Sequence, residues 1–140
     1  IGRVNTMMLM FIFLIISMFG LAWTATYTAT PTEGIWIYVT IFASITGFCF
    51  GGNFALFPSS TADYFGSKHV GKNYGVVFTA YGIAGIVGAL VAGLIVDFTG
   101  SYLMAFVLTG ILAIISLILI FVLRSVRQKE EGPAGIVTPE

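Results

Sequence analysis

Four apolar stretches decide what this chain can fold into. Residues 7–23, 35–57, 74–96 and 102–123 contain no Asp, Glu, Lys, Arg or His. About 20 mostly apolar residues are enough to cross the hydrocarbon core of a bilayer. Lipid offers no partner to a free backbone N–H or C=O, and an open sheet would leave an unpaired edge, so each stretch is predicted to be helical. The expected fold class is an all-α membrane protein with four transmembrane helices. Composition agrees: 58 % of the 140 residues are hydrophobic and 9 % charged, against roughly 25 % charged in a soluble domain.

The charges left over test this division. Arg3 precedes the first stretch, Lys68 and Lys72 lie between the second and third, and Arg124, Arg127 and Lys129 follow the fourth. The other two connections carry Glu33 and Asp97 and no Lys or Arg. With four spans, every basic residue falls on one side of the membrane. Short cytoplasmic loops are the ones enriched in Lys and Arg, so both ends of the chain and its middle loop are expected in the cytoplasm, and the protein is expected to be an integral multi-pass protein of a plasma or inner membrane. A signal peptide is disfavoured for the first stretch, because its apolar run exceeds the usual core of about 7–15 residues. The chain starts with Ile1 and not Met, which points to a fragment. Residues 24–34 are expected to form an outer turn flanked by Trp23, Tyr27, Trp36 and Tyr38, as interfacial aromatics do. Thr99 or Ser101 is a candidate cap for the fourth helix. The transmembrane region is expected over 1–124 and a disordered cytoplasmic tail over 125–140.

Helix faces add detail. In the second span Ala43, Gly47, Gly51 and Ala55 recur every four residues, a spacing that lets helices approach closely in lipid. Thr46, Cys49 and Asn53 lie nearly opposite at helical spacing. One face is expected to pack on a neighbour and the other to meet a polar partner. The amide of Asn53 must be hydrogen-bonded in hydrocarbon, either to another helix or to something in a cavity. Pro58 is expected to kink or end this helix. The third span carries two small-residue stripes, Gly85/Ala89/Gly93 and Ala84/Gly88/Ala92, again suited to close packing. In it Thr79 and Tyr81 lie deep, either lining a pathway or packing with their hydroxyls bonded, and Tyr74 sits near the interface as an anchor. Spans one and four are bulkier and suit an outer, lipid-facing position.

Little here supports catalysis. His69 is the only imidazole and sits in a basic loop beside Lys68. Cys49 is the only cysteine, so no disulfide framework and no CxxC metal or redox site exists. No catalytic residues, metal ligands or cofactors are assigned. The spans hold no ionisable group able to relay protons. Net charge is zero, which gives no general attraction to nucleic acid.

The segments Gly52-Asn53-Phe54-Ala55 with Pro58, Tyr64-Phe65-Gly66 and Gly71-Lys72-Asn73-Tyr74-Gly75 resemble the second-half signature of oxalate/formate antiporter-like carriers of the major facilitator superfamily. Ala80-Tyr81-Gly82-Ile83-Ala84-Gly85 continues the likeness. The run from Ala92 through Asp97 to Tyr102 is similar to a penultimate helix and turn found widely in that superfamily, and Ile1-Gly2-Arg3 resembles the end of the loop before its ninth helix. The resemblance implies helices nine to twelve of a twelve-helix bundle, the other helices being supplied by the missing N-terminal part of the same carrier. It implies secondary transport of a small organic anion, a mono- or dicarboxylate, by alternating access, in which half-bundles rock around a midplane site. Where the oxalate carrier is expected to hold a lysine, this chain has Tyr81, which argues against oxalate. Asn53, Thr79 and Tyr81 are the candidate substrate-binding residues, as polar cavity lining. Asp63, Lys68 and Lys72 are candidates for a cytoplasmic gate held by ion pairs, with contact to lipid head groups the other reading of the lysines. The partners expected are the anion, the bilayer and the missing helices. A non-catalytic four-span scaffold is the alternative.

Overall fold

The computed structural model describes residues 3–27 and 34–130. They form four long helices: α1 (Arg3–Tyr27), α2 (Ile35–Phe65), α3 (Val70–Thr99) and α4 (Leu103–Glu130), with a single 3-10 turn, Ser67–His69, before α3. All four are long and apolar enough to cross a membrane. Each runs past the apolar stretch that marks it in the sequence. α2 has 31 residues, about 46 Å at 1.5 Å per residue, against a hydrocarbon core of about 30 Å. Its last turns therefore lie beyond the apolar layer.

Pro58 does not end α2, which continues for two more turns to Phe65. A proline inside a helix costs the hydrogen bond to the carbonyl four residues back, but one lost bond does not outweigh the rest of a helix whose backbone has no other partner in lipid. The break comes at Gly66, with φ of 78°. α4 likewise continues through Glu130, into the stretch expected as tail, while 131–140 lie outside the described residues, as do 28–33 of the outer turn.

The tight connection between α3 and α4 is capped from both sides. Gly100 takes the left-handed conformation (φ 66°) and its N–H donates to the Val96 carbonyl at 2.7 Å, closing α3. This is the left-handed glycine cap common at helix C-termini. Ser101 lies just before α4 and accepts the N–H of its first residue, Leu103, on its hydroxyl at 3.2 Å.

α1 is the centre of packing among the described residues. It lies against both α2 and α4, and Met7, Ser17, Met18, Leu21, Ala22 and Thr24 are buried, whereas no residue of α3 is. The sequence expectation of α1 as an outer helix thus does not describe its place within this four-helix unit. Three glycines make the close contacts. A Cβ on Gly20 would lie 2.5 Å from the Phe42 ring, one on Gly52 3.0 Å from Met10, and one on Gly110 3.1 Å from Phe19. None belongs to the stripes picked out by spacing. In those stripes Gly47, Gly51, Gly85, Gly88 and Gly93 have nothing within 4 Å. α2 instead turns the polar stripe inwards: Cys49 is fully buried, and Thr46 meets Ser17 of α1 at 2.7 Å between hydroxyl oxygens. Both hydroxyls also reach the Phe42 carbonyl. Close packing in lipid comes from a small residue facing a complementary large one, and periodicity within one helix does not reveal the residue opposite.

Candidate functional site

The basic end of the bundle is tied by Arg3. Its guanidinium donates to the Asp63 carboxylate at 2.7 Å and to the Ser59 carbonyl at 3.1 Å, joining the start of α1 to the end of α2. Asp63 therefore pairs with Arg3 and not with Lys68 or Lys72. Both lysines are exposed, and among the described residues neither has a carboxylate partner. The gate expected of Asp63, Lys68 and Lys72 has no ion pair among these three here; the packing of α1 on α2 brings Arg3 to Asp63 instead. Arg124 lies at the same end, its guanidinium 3.8 Å from the Met8 sulfur.

Deeper in the bundle a cavity of about 420 Å³ opens between α1, α2 and α3. From α1 it is lined by Phe11 and Leu14, and from α2 by Thr46, Asn53 and phenylalanines 50, 54 and 57. α3 contributes Tyr74, Phe78 and Tyr81. Aromatic residues at i and i+4 on α2, and at i, i+4 and i+7 on α3, put their rings on facing sides. Tyr81 is the hub: its ring centroid lies 5.9 Å from Phe50, 5.8 Å from Phe54 and 5.6 Å from Phe78. Phe54 also meets Phe78 edge-on at 5.8 Å. These are the separations at which aromatic pairs attract. Tyr74, expected as an interfacial anchor, belongs to the same group, with its ring 5.7 Å from Phe78.

Asn53 and Tyr81, singled out from the sequence, thus meet at one cavity. Thr79 does not join them. Its hydroxyl donates to the Gly75 carbonyl of its own helix at 2.9 Å, and it is absent from the lining. The Oδ1 of Asn53 is shut from solvent and has no hydrogen-bond partner. A buried polar atom without a partner costs about 1–3 kcal/mol, so Asn53 stands out energetically as well as by position. The phenylalanines 50, 54 and 78 were not singled out in the sequence, although their helical spacing with Tyr81 is visible there. No lining residue carries a charge. Among the described residues, no group of three His, Cys, Asp or Glu side chains is arranged to hold a metal ion.

The remaining cavities offer less. One of about 670 Å³ lies between the Trp23 end of α1 and the Tyr38 end of α2, next to residues outside the description. Another lies at the basic end, where Ser60 and Thr61 are already bonded to Met7 and Phe57.

Comparison with known proteins adds an independent line. A family model described as the Major Facilitator Superfamily matches residues 1–137. Human monocarboxylate transporter 14 is 30 % identical over 94 residues, 67 % of this chain and 18 % of that protein. Mouse monocarboxylate transporter 12 is 34 % identical over 102 residues, 73 % of this chain and 21 % of that protein. The oxalate:formate antiporter of Oxalobacter formigenes is 36 % identical over 74 residues, 52 % of this chain and 17 % of that protein. The chain spans about a fifth of the length of the curated relatives it matches. No solved structure gives a significant match.

Proposed function

The chain belongs to the Major Facilitator Superfamily, and from that premise we propose that it is the C-terminal part of a secondary carrier for a small organic anion, a mono- or dicarboxylate, working by alternating access. The observation that carries this reading is that relatives matched along the chain are named for carboxylates, as monocarboxylate transporters and as an oxalate:formate antiporter. The family accounts for four apolar helices as part of a larger multi-helix membrane bundle, which the scaffold alternative leaves unexplained.

In this reading the cavity between α1, α2 and α3 is part of the transport pathway. Asn53 and Tyr81 hydrogen-bond the substrate from its wall. Thr79 stays a candidate only if α3 turns during transport, because its hydroxyl is held by its own helix. The anion's charge is met by a cation from helices outside this chain, since none lines the cavity. The basic end faces the cytoplasm, following the enrichment of Lys and Arg there. At that end Arg3 and Asp63 hold α1 and α2 together, while Lys68 and Lys72 face lipid head groups or a gating partner.

The test is uptake of labelled formate, oxalate, lactate and pyruvate by the full-length carrier in proteoliposomes. Saturable uptake of at least one of them supports the reading. Failure to carry any carboxylate overturns it.

A further inference from the structure

Near its start α1 carries three methionines, Met7, Met8 and Met10, and each is held differently. Met7 is buried, and its sulfur accepts the Ser60 hydroxyl of α2 at 3.2 Å. Met10 covers Gly52 of α2, its methyl carbon 3.0 Å from where a Cβ would stand. Met8 is half-buried and turns to α4, where its sulfur lies 3.8 Å from the Arg124 guanidinium. Among the described residues Arg124 meets no carboxylate. A fully charged donor thus faces one of the weakest acceptors a side chain offers, a thioether.

We propose that Met8 is a site of reversible oxidation and that Arg124 is the group that responds to it. The oxidant is a hydroperoxide. A sulfur lone pair attacks the outer peroxide oxygen, an S–O bond forms and the O–O bond breaks. The sulfur gives up two electrons and the peroxide gains them. The departing oxygen takes the proton released by the transferred one and leaves as water or an alcohol. The product is a sulfoxide, which replaces a flexible apolar group by a polar one.

The new oxygen is carried by the sulfur that already touches the guanidinium. A weak N–H···S contact becomes a charge-assisted N–H···O bond, a class roughly twice as strong as neutral hydrogen bonds. Arg3 fastens the start of α1 to α2 through Asp63. Oxidised Met8 fastens the same end of α1 to α4 as well. Peroxide thereby stiffens the basic end of the bundle. Reduction releases it, because reductases return methionine sulfoxide to the thioether.

Position favours Met8 over its neighbours. Met7 is enclosed and its sulfur is engaged by Ser60. Met10 lies deeper in the apolar stretch, over Gly52. Met8 lies at the basic edge of that stretch. This proposal does not depend on which solute is carried.

The experiment treats the full-length carrier in proteoliposomes with hydrogen peroxide and locates the added oxygen by peptide mass spectrometry. Met8 is expected to be oxidised several-fold faster than Met7 and Met10. Oxidation is expected to raise the melting temperature of the wild type by about 1–3 °C relative to its effect on Met8→Leu, which keeps every other methionine. Arg124→Gln is expected to abolish that difference, and methionine sulfoxide reductases acting on both epimers to reverse it. Oxidation of Met7 or Met10 ahead of Met8 overturns the proposal. So does an equal response of wild type and Met8→Leu, or a shift that persists in Arg124→Gln. If Arg124→Gln does not fold, the comparison with Met8→Leu decides alone.

Discussion

Arg3 and Asp63, 60 residues apart in sequence, form an ion pair of 2.7 Å that fastens the start of α1 to the end of α2. The Arg3 and Asp63 side chains are 52 % and 38 % exposed. Exposed pairs contribute about 0–1 kcal/mol and weaken as salt rises. Asp63→Asn is therefore expected to lower the melting temperature of the detergent-purified carrier slightly at low salt and not measurably at high salt. The exchange of both residues, Arg3→Asp with Asp63→Arg, is expected to restore it. Lys72→Gln is expected to have no such effect. A loss with Lys72→Gln equal to that with Asp63→Asn would return Lys72 to the role of Asp63's partner.

A second prediction concerns Ser17, which is completely buried and shares its hydrogen bonding with Thr46 and the Phe42 carbonyl. Ser17→Ala leaves Thr46 its own bond to that carbonyl at 3.0 Å, so nothing polar is stranded. Interhelical hydrogen bonds in membranes average about 0.6 kcal/mol. The expected loss of stability is of that size, read from thermal or denaturant unfolding of the full-length protein. A loss several times larger would show that the hydroxyls act as one cooperative network.

Gly20 offers a sharper steric test. A methyl group there would meet the Phe42 ring at 2.5 Å, so Gly20→Ala forces the ring to move. Overpacking of this kind costs about 1–3 kcal/mol, more than alanine gains over glycine in helix propensity. Gly20→Ala is expected to destabilise, and Phe42→Leu to relieve part of the damage in the double variant. Additive losses in the double-mutant cycle would sink the proposed contact.

The proposed substrate cavity yields a contrast between residues that line it and one that does not. Tyr81→Phe removes a hydroxyl from the cavity while keeping the ring in its aromatic cluster, and is expected to raise KM several-fold with little change in expression. Asn53→Ala is expected to do the same. Thr79→Val removes a hydroxyl bonded to Gly75 outside the lining and is expected to leave KM essentially unchanged. A larger effect of Thr79→Val than of Tyr81→Phe would mean that α3 presents a different face during transport.

Much of the architecture is legible residue by residue. The runs free of charge predict four helices because backbone groups in lipid have to be satisfied within each span. Thr99 and Ser101 are both recognisable as cap candidates, and it is Ser101 that accepts the Leu103 N–H. The reading fails where two helices must be known at once. The stripe of Gly47 and Gly51 looked like a packing face, yet those glycines meet nothing among the described residues, while Gly20, Gly52 and Gly110 lie under Phe42, Met10 and Phe19. Asn53 and Tyr81 were both visible as polar residues in apolar spans. That one cavity holds them, with phenylalanines 50, 54 and 78 around Tyr81, was not.

What the sequence determines by itself is the set of helices and the end at which charge collects. Both follow from local rules: an apolar run long enough to span, and the cost of placing Lys, Arg or Asp in hydrocarbon. The tertiary structure alone decides that Asp63 pairs with Arg3, that the polar face of α2 turns towards α1, and that rings from α2 and α3 close around a cavity without charge. Those outcomes depend on which side chain stands opposite which across two helices. Complementary size and hydrogen bonding set that choice, and no single helix carries both halves of either.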